Sequence, residues 1–395
     1  MAYRATHEAM PLFGVYALLF AEQGLDAAQI TSLLAVWSVT AFVLEVPSGA
    51  WADLLDRRRL LIASAVVYTS AFVTWLLAPS YWGFLAGFVL WSLSDAMKSG
   101  TFEAFLYDEL AAAGRTHRYG LVRARAETAG VVVMGLAIAA AAPLHQAGGF
   151  ALVGWVSVAM TLVHLLVAVS LPRAAPVEPP PEEEVVPPPE PVSAAAWLHT
   201  LRAGVHEAAS APAVRRVLLA YAAVVALVGL DEYFNLVLAE GGTSVPVIAW
   251  VMAGIVLAEA VGTWFADRVA LLDRGAHAAL VLGAGLLLAW GAWASGTGVW
   301  SFGALGVGYA AASSVYVAGD IRLQSAMSGD ARATVTSVAG VVAEGGFLVA
   351  LGLVGLGSLW WDLPEVVAAV ALTLALPATL SAWRAPPARP SATAS

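Results

Sequence analysis

Two adjacent carboxylates, Asp231 and Glu232, stand inside an apolar stretch and are followed by Tyr233, Phe234 and Asn235. An ionisable side chain in lipid is expensive, so each such acid is a candidate proton carrier that faces a cavity or a partner. Adjacent helical residues point about 100° apart, so only one of the two need face a cavity; the alternative is that Asp231 or Glu232 reaches the outer water layer. Glu45 and Glu259 occupy equivalent apolar stretches. Either they exchange protons along a seam, or they cap neighbouring backbone near one mouth. Glu344 stands alone beside Gly345 and Gly346, a pattern that fits cavity lining or close helix packing. Asp95 and Lys98 are three residues apart, hence on one helix face, and Lys98 is the chain's single lysine. They form either a self-satisfied ion pair or a switch that meets an anionic substrate group. Arg123 with Glu127, and Asp320 with Arg322, read as structural pairs. His164, a lone polar ring on an apolar helix, reads as a packed, hydrogen-bonded histidine.

Nothing here resembles an enzyme's constellation. The chain has no His-Glu-x-x-His, no Gly-x-Ser-x-Gly, no phosphate-cradling glycine loop and no cysteine. No metal and no cofactor is expected, only the proton as coupling ion. A basic nucleic-acid patch is absent, and the net charge of −9 reflects an acidic linker and a few intramembrane acids.

The elements that must hold these acids are membrane spans. At 395 residues, 60% hydrophobic and 12% charged, with mean hydropathy +0.79, the chain is no soluble globule. Apolar stretches of about 20 residues recur, which in lipid must be helices. Twelve are expected: 3–22, 28–52, 59–78, 80–110, 119–143, 148–171, 214–238, 244–266, 276–294, 298–324, 333–356 and 363–384. Residues 172–213 join the two sets of six, first as a Pro- and Glu-rich extended linker, then as an interfacial helix at 194–211. Residues 385–395 form a tail. Arginines fall only on one side of the predicted spans, and the opposite loops around Gly24, Ser80, His145, Gly241, Gly296 and Asp362 carry no Lys or Arg. By the positive-inside rule both termini and the linker are cytoplasmic. An offset of 214 residues carries Glu45 onto Glu259, Asp53 onto Asp267 and Arg118 onto Arg332, which argues for two six-helix bundles, 1–171 and 214–384, in parallel orientation.

Between spans 2 and 3 the chain reads Gly49-Ala-Trp-Ala52-Asp53-Leu-Leu-Asp-Arg57-Arg58-Arg59. This resembles the major facilitator superfamily signature Gly-x-Leu-Ala-Asp-Arg-x-Gly-Arg-Arg/Lys, departing from it at Trp51, Leu54 and Asp56. A weaker second copy keeps Ala266, Asp267 and Arg268, and further stretches at 99–108 and 332–337 resemble a subgroup of bacterial drug and metabolite exporters. The resemblance covers the whole length. It implies an all-α, twelve-span fold of two pseudo-symmetric bundles and a monomer in the plasma membrane. It also implies a cytoplasmic latch in which Asp53 meets the N-terminus of the span starting near Arg332, and Arg57 or Arg58 bridges to Glu103 or Asp108, with Asp267 and Arg268 as the second copy. The alternative is that these charges only set topology.

Trp91, Trp290, Trp293, Tyr16, Phe13, Tyr233, Phe234 and Tyr316 are expected to give a cavity an aromatic lining. With one asparagine and four glutamines the chain is poorly equipped for sugars. The expected function is proton-coupled efflux of a hydrophobic or amphipathic small molecule. The alternatives are proton-coupled or facilitative import of a metabolite and, remotely, a receptor or scaffold that transports nothing.

Overall fold

The computed structural model describes residues 1–172, 212–326 and 332–384, and for 45–54, 212–217, 324–326 and 332–338 the backbone alone. The linker with its interfacial helix at 194–211, the tail 385–395, and the side chains of Glu45, Asp53 and Arg332 lie outside the described residues.

Every regular element among the described residues is helical, and nine of those helices are long and apolar enough to cross a membrane. The first expected span is interrupted. Ala2–His7 (α1) stops, a 3-10 turn covers Pro11–Gly14, and Tyr16–Glu22 (α2) resumes. Pro11 has no N–H to give and would clash with the His7 carbonyl in a continuous helix, so the break is written in the chain. The freed carbonyl finds another donor: Tyr68 Oη donates to His7 O at 3.1 Å. Ala27–Leu54 (α3) and Arg57–Leu77 (α4) follow, α4 being capped by the Asp56 carboxylate, which accepts from the Arg59 N–H at 2.7 Å. Span 4 breaks too. Tyr81–Lys98 (α5) ends at Ser99, Gly100 turns the chain at φ +71°, and Thr101–Ala112 (α6) runs on. Tyr119–Ser170 (α7) contains expected spans 5 and 6, separated at Gly148 and Gly149.

In the second half Pro212–Val228 (α8) passes through a 3-10 turn, Gly229–Tyr233, into Phe234–Glu240 (α9). Then come Val245–Trp264 (α10), Ala266–Ala270 (α11), Arg274–Trp293 (α12), Val299–Ala326 (α13), Arg332–Gly357 (α14) and Leu363–Arg384 (α15).

The described residues form two compact units. One comprises Met1–Leu12, Val36–Ala137 and the stretch from Ala147 onward to the linker. Tyr3, Leu61, Ala65, Phe102, Phe105 and Ala168 form one of its cores. Phe72, Trp75, Phe88 and Trp91 interlock beside Gly87, and Trp75 Nε1 donates to Phe84 O at 3.0 Å. Trp91, 6% exposed, is therefore packing rather than the cavity lining expected of it.

The other unit comprises Phe13–Ala35, Ile138–Gln146 and the second half of the chain. Val224, Val281, Val315, Ala318, Ala378 and Ala382 pack within it. Small residues bring its helices together, as lipid-embedded helices require: Gly262 of α10 faces the Ala310 backbone of α13, and Gly346 of α14 faces the Ala222 carbonyl of α8. Gly346, next but one to Glu344, thus marks close packing. Trp290 and Trp293 are exposed on α12.

Candidate functional site

In the second unit Asp231 and Glu232 sit half-buried in the 3-10 turn between α8 and α9. Gly229 opens that turn against the Phe347 ring of α14, where a side chain would collide. Each acid has a phenol for a partner. Tyr309 Oη, on α13, donates to Asp231 Oδ2 at 2.9 Å, and Tyr16 Oη, on α2, donates to the Glu232 carboxylate. Half-buried Glu259 on α10 adds its charge to the field at Asp231 and Tyr309. Among the described residues no Lys, Arg or His forms an ion pair with these three acids. Glu344 lies half-buried on α14 of the same unit.

Tyr233 and Asn235, 0% and 3% exposed, fasten the segment 13–35 to the 3-10 turn and α9. Tyr233 Oη shares a 2.9 Å hydrogen bond with Thr31 Oγ1, and Asn235 Nδ2 donates to Gly14 O at 3.3 Å.

The first unit holds a different cluster. Lys98 Nζ donates to Asp95 Oδ1 at 2.8 Å and to His7 Nε2 at 2.8 Å. An ammonium has only donors, so His7 accepts on Nε2 and carries its proton on Nδ1, 3.2 Å from Glu8 Oε1. Arg4 closes the chain of charges, 3.1 Å from Glu8 and 3.0 Å from Glu127. His164 Nδ1 meets Thr6 Oγ1 at 3.1 Å, the packed role expected. The sequence reading found Asp95 and Lys98 but missed Arg4, His7 and Glu8. Three ionisable residues within the first eight positions of an apolar span were the available signal.

Two expected pairs do not form. Glu127 meets Arg4 rather than Arg123, and Arg322 is 5% exposed while Asp320 is exposed. Residues two apart on a helix point to nearly opposite sides, so Asp320 and Arg322 never share a face.

Of the signature residues, Arg57 pairs with the Asp108 carboxylate, and the Arg58 guanidinium donates to the carbonyls of Val169 and Leu171 at the end of α7. Glu103 opens α6 and has no ion pair among the described residues. Asp267 and Arg268 are exposed, Arg268 lying 5.2 Å over the Phe265 ring. Within the second unit, a cavity of about 480 Å³ is lined by apolar residues and by Asp26, Glu240 and Asp362. Among the described residues no cluster of His, Asp or Glu could hold a metal.

Three transporters are among the solved structures that share this fold. The nucleoside transporter NupG matches with TM-score 0.71 at 13% identity, over 97% of this chain and 95% of its own. A bacterial homologue of the human lysosomal transporter Spinster, inward-facing and unoccupied, matches with TM-score 0.66 at 15% identity, over 97% and 91%. A variant of the peptide transporter POT matches with TM-score 0.66 at 12% identity, over 96% and 91%. No curated protein matches the chain in sequence. The family model for the Major Facilitator Superfamily matches residues 8–237, from the interruption in span 1 to the fastened helix α9, and the chain belongs to that superfamily.

Proposed function

We propose that this chain is a secondary transporter of the plasma membrane, a monomer with both termini cytoplasmic, that exports a hydrophobic or amphipathic small molecule in exchange for protons. It works by alternating access between two six-helix bundles joined by the linker. One observation carries the reading: Asp231 and Glu232 occupy an interrupted span with tyrosines, and no described cation, as partners. Intramembrane acids so placed are typical carriers of a coupled proton.

The same geometry suggests how a proton opens the clasp between residues 13–35 and the second half. Hydrogen bonds to an ionised group are roughly twice as strong as neutral ones. A proton on Glu232 turns the Tyr16 bond from charge-assisted to neutral and loosens α2, leaving the Thr31 and Gly14 bonds to hold it. The acid-edged, largely apolar cavity at Asp26, Glu240 and Asp362 favours a substrate that is cationic as well as apolar.

A second reading, import of a small anionic metabolite, draws on Arg4, His7 and Lys98, which could receive an anion if their acids let go. Protein reconstituted in liposomes with a trapped pH-sensitive dye separates the two. An outward gradient of an amphipathic cation should drive protons inward. Small carboxylates moving in the same direction as protons, with cations inert, would replace export by import.

A further inference from the structure

The cavity of about 480 Å³ in the second unit has the size of a small-molecule site. Its lining comes from the two parties of the clasp: residues 18–30 on one side, 236–240 and 358–363 on the other. Leu18, Ile30, Leu236 and Leu363 are buried and give it an apolar floor, while Asp26, Glu240, Trp361 and Asp362 are exposed at its rim. Neither Asp231 nor Glu232 lines it.

The charge at the rim is unanswered. Asp26 Oδ1 accepts from the Gln29 N–H at 2.8 Å and Glu240 Oε2 from the Leu363 N–H at 3.1 Å, each using one oxygen at the start of a helix. No described Lys, Arg or His forms an ion pair with these two acids or with Asp362. The described acids form no group that holds a metal ion, so one small inorganic cation does not answer them. An organic cation with an apolar body does: it covers the floor, and its charge meets the Trp361 ring and the negative field at the mouth. Because the two sides of the cavity belong to the two parties of the clasp, it keeps this shape only while the Tyr233–Thr31 and Asn235–Gly14 bonds hold. A ligand that fits one state better than another shifts the population toward the state it fits. We infer that an amphipathic organic cation binds this cavity, apart from Asp231 and Glu232, and holds the clasp shut. The hold on the clasp rests on the alternating-access reading above; the binding does not.

The test uses tetraphenylphosphonium as the probe and maleimide labelling of the reconstituted protein as the readout. The chain has no cysteine, so Leu19→Cys, at a buried position of α2 outside the cavity, reports on the clasp. Tetraphenylphosphonium should slow labelling several-fold and saturably, and tetraphenylborate, the same shape with the opposite charge, should not. Asp26→Asn with Glu240→Gln and Asp362→Asn keeps the acceptor oxygens at both helix starts and should abolish the response. Should that variant fail to fold, Asp362→Asn alone should need several-fold more probe for the same slowing. In Asp231→Asn with Glu232→Gln the slowing should persist. Loss of proton-linked transport with the slowing intact would refute the transport reading and leave the site. No slowing in the wild type, equal slowing by tetraphenylborate, or a response that survives the triple variant would overturn it.

Discussion

Around the interruption in the first span, Arg4 and Lys98 are met by Glu8, Glu127 and Asp95, with His7 bridging the two sets. Around the interruption in the seventh span, Asp231 meets Tyr309 and Glu232 meets Tyr16, with no ion-pair partner among the described residues and with Glu259 close enough to act on Asp231 electrostatically. Each cluster lies beside an interrupted span, yet one is nearly charge-balanced and the other is not. A matched cluster keeps the same proton count through a conformational change and serves to hold α1, α5 and α7 in register. An unmatched cluster of acids can change its proton count, which makes it the place to look for coupling.

Substitutions test that contrast, beginning with the largest effect. Asp231→Asn combined with Glu232→Gln should reduce proton-linked transport in liposomes to background while leaving the detergent-purified protein folded. The same loss caused by Asp95→Asn, with the tyrosine-held acids dispensable, would reverse the assignment. Next, Lys98→Met strands Asp95 and His7 in a partly buried site and should cost about 2 kcal/mol, read from thermal unfolding. Lys98→Met with Asp95→Leu should recover more than half of that, because no unmatched charge remains. Thr31→Val removes the partner of Tyr233 and should cost about 1 kcal/mol, with faster labelling of a cysteine placed on α2 as its signature. Smallest is Arg57→Gln. Its ion pair with Asp108 is about one-third exposed on both sides, so the stability change should stay within about 0.5 kcal/mol.

The contrast was only half legible in the chain. Hydropathy placed the apolar segments, because lipid forces long apolar runs into helices whatever their neighbours. Isolated acids such as Asp231 and Glu232 stood out for the same reason. Their partners did not, since Tyr16 and Tyr309 come from distant spans and carry no local periodic mark. Asp95 and Lys98 were found because helical spacing alone puts them on one face. Arg4, His7 and Glu8 were passed over because charges at the start of a span look like flanking residues until Pro11 is read as a break that turns them inward. Glu127 shows the limit of local pairing: Arg123 shares its helix face, and yet the guanidinium that reaches it comes from α1. Tyr233 and Asn235 stood out by proximity to the acids, but their bonds to Thr31 and Gly14 join distant stretches of chain and carry no local mark.

The most direct measurement is infrared difference spectroscopy of the reconstituted protein across a pH jump, following the band of protonated carboxyl groups. The band should vanish in the variant carrying Asp231→Asn and Glu232→Gln and persist in the variant carrying Glu8→Gln and Asp95→Asn. Persistence in the first with loss in the second would place the coupled proton in the matched cluster and contradict the account.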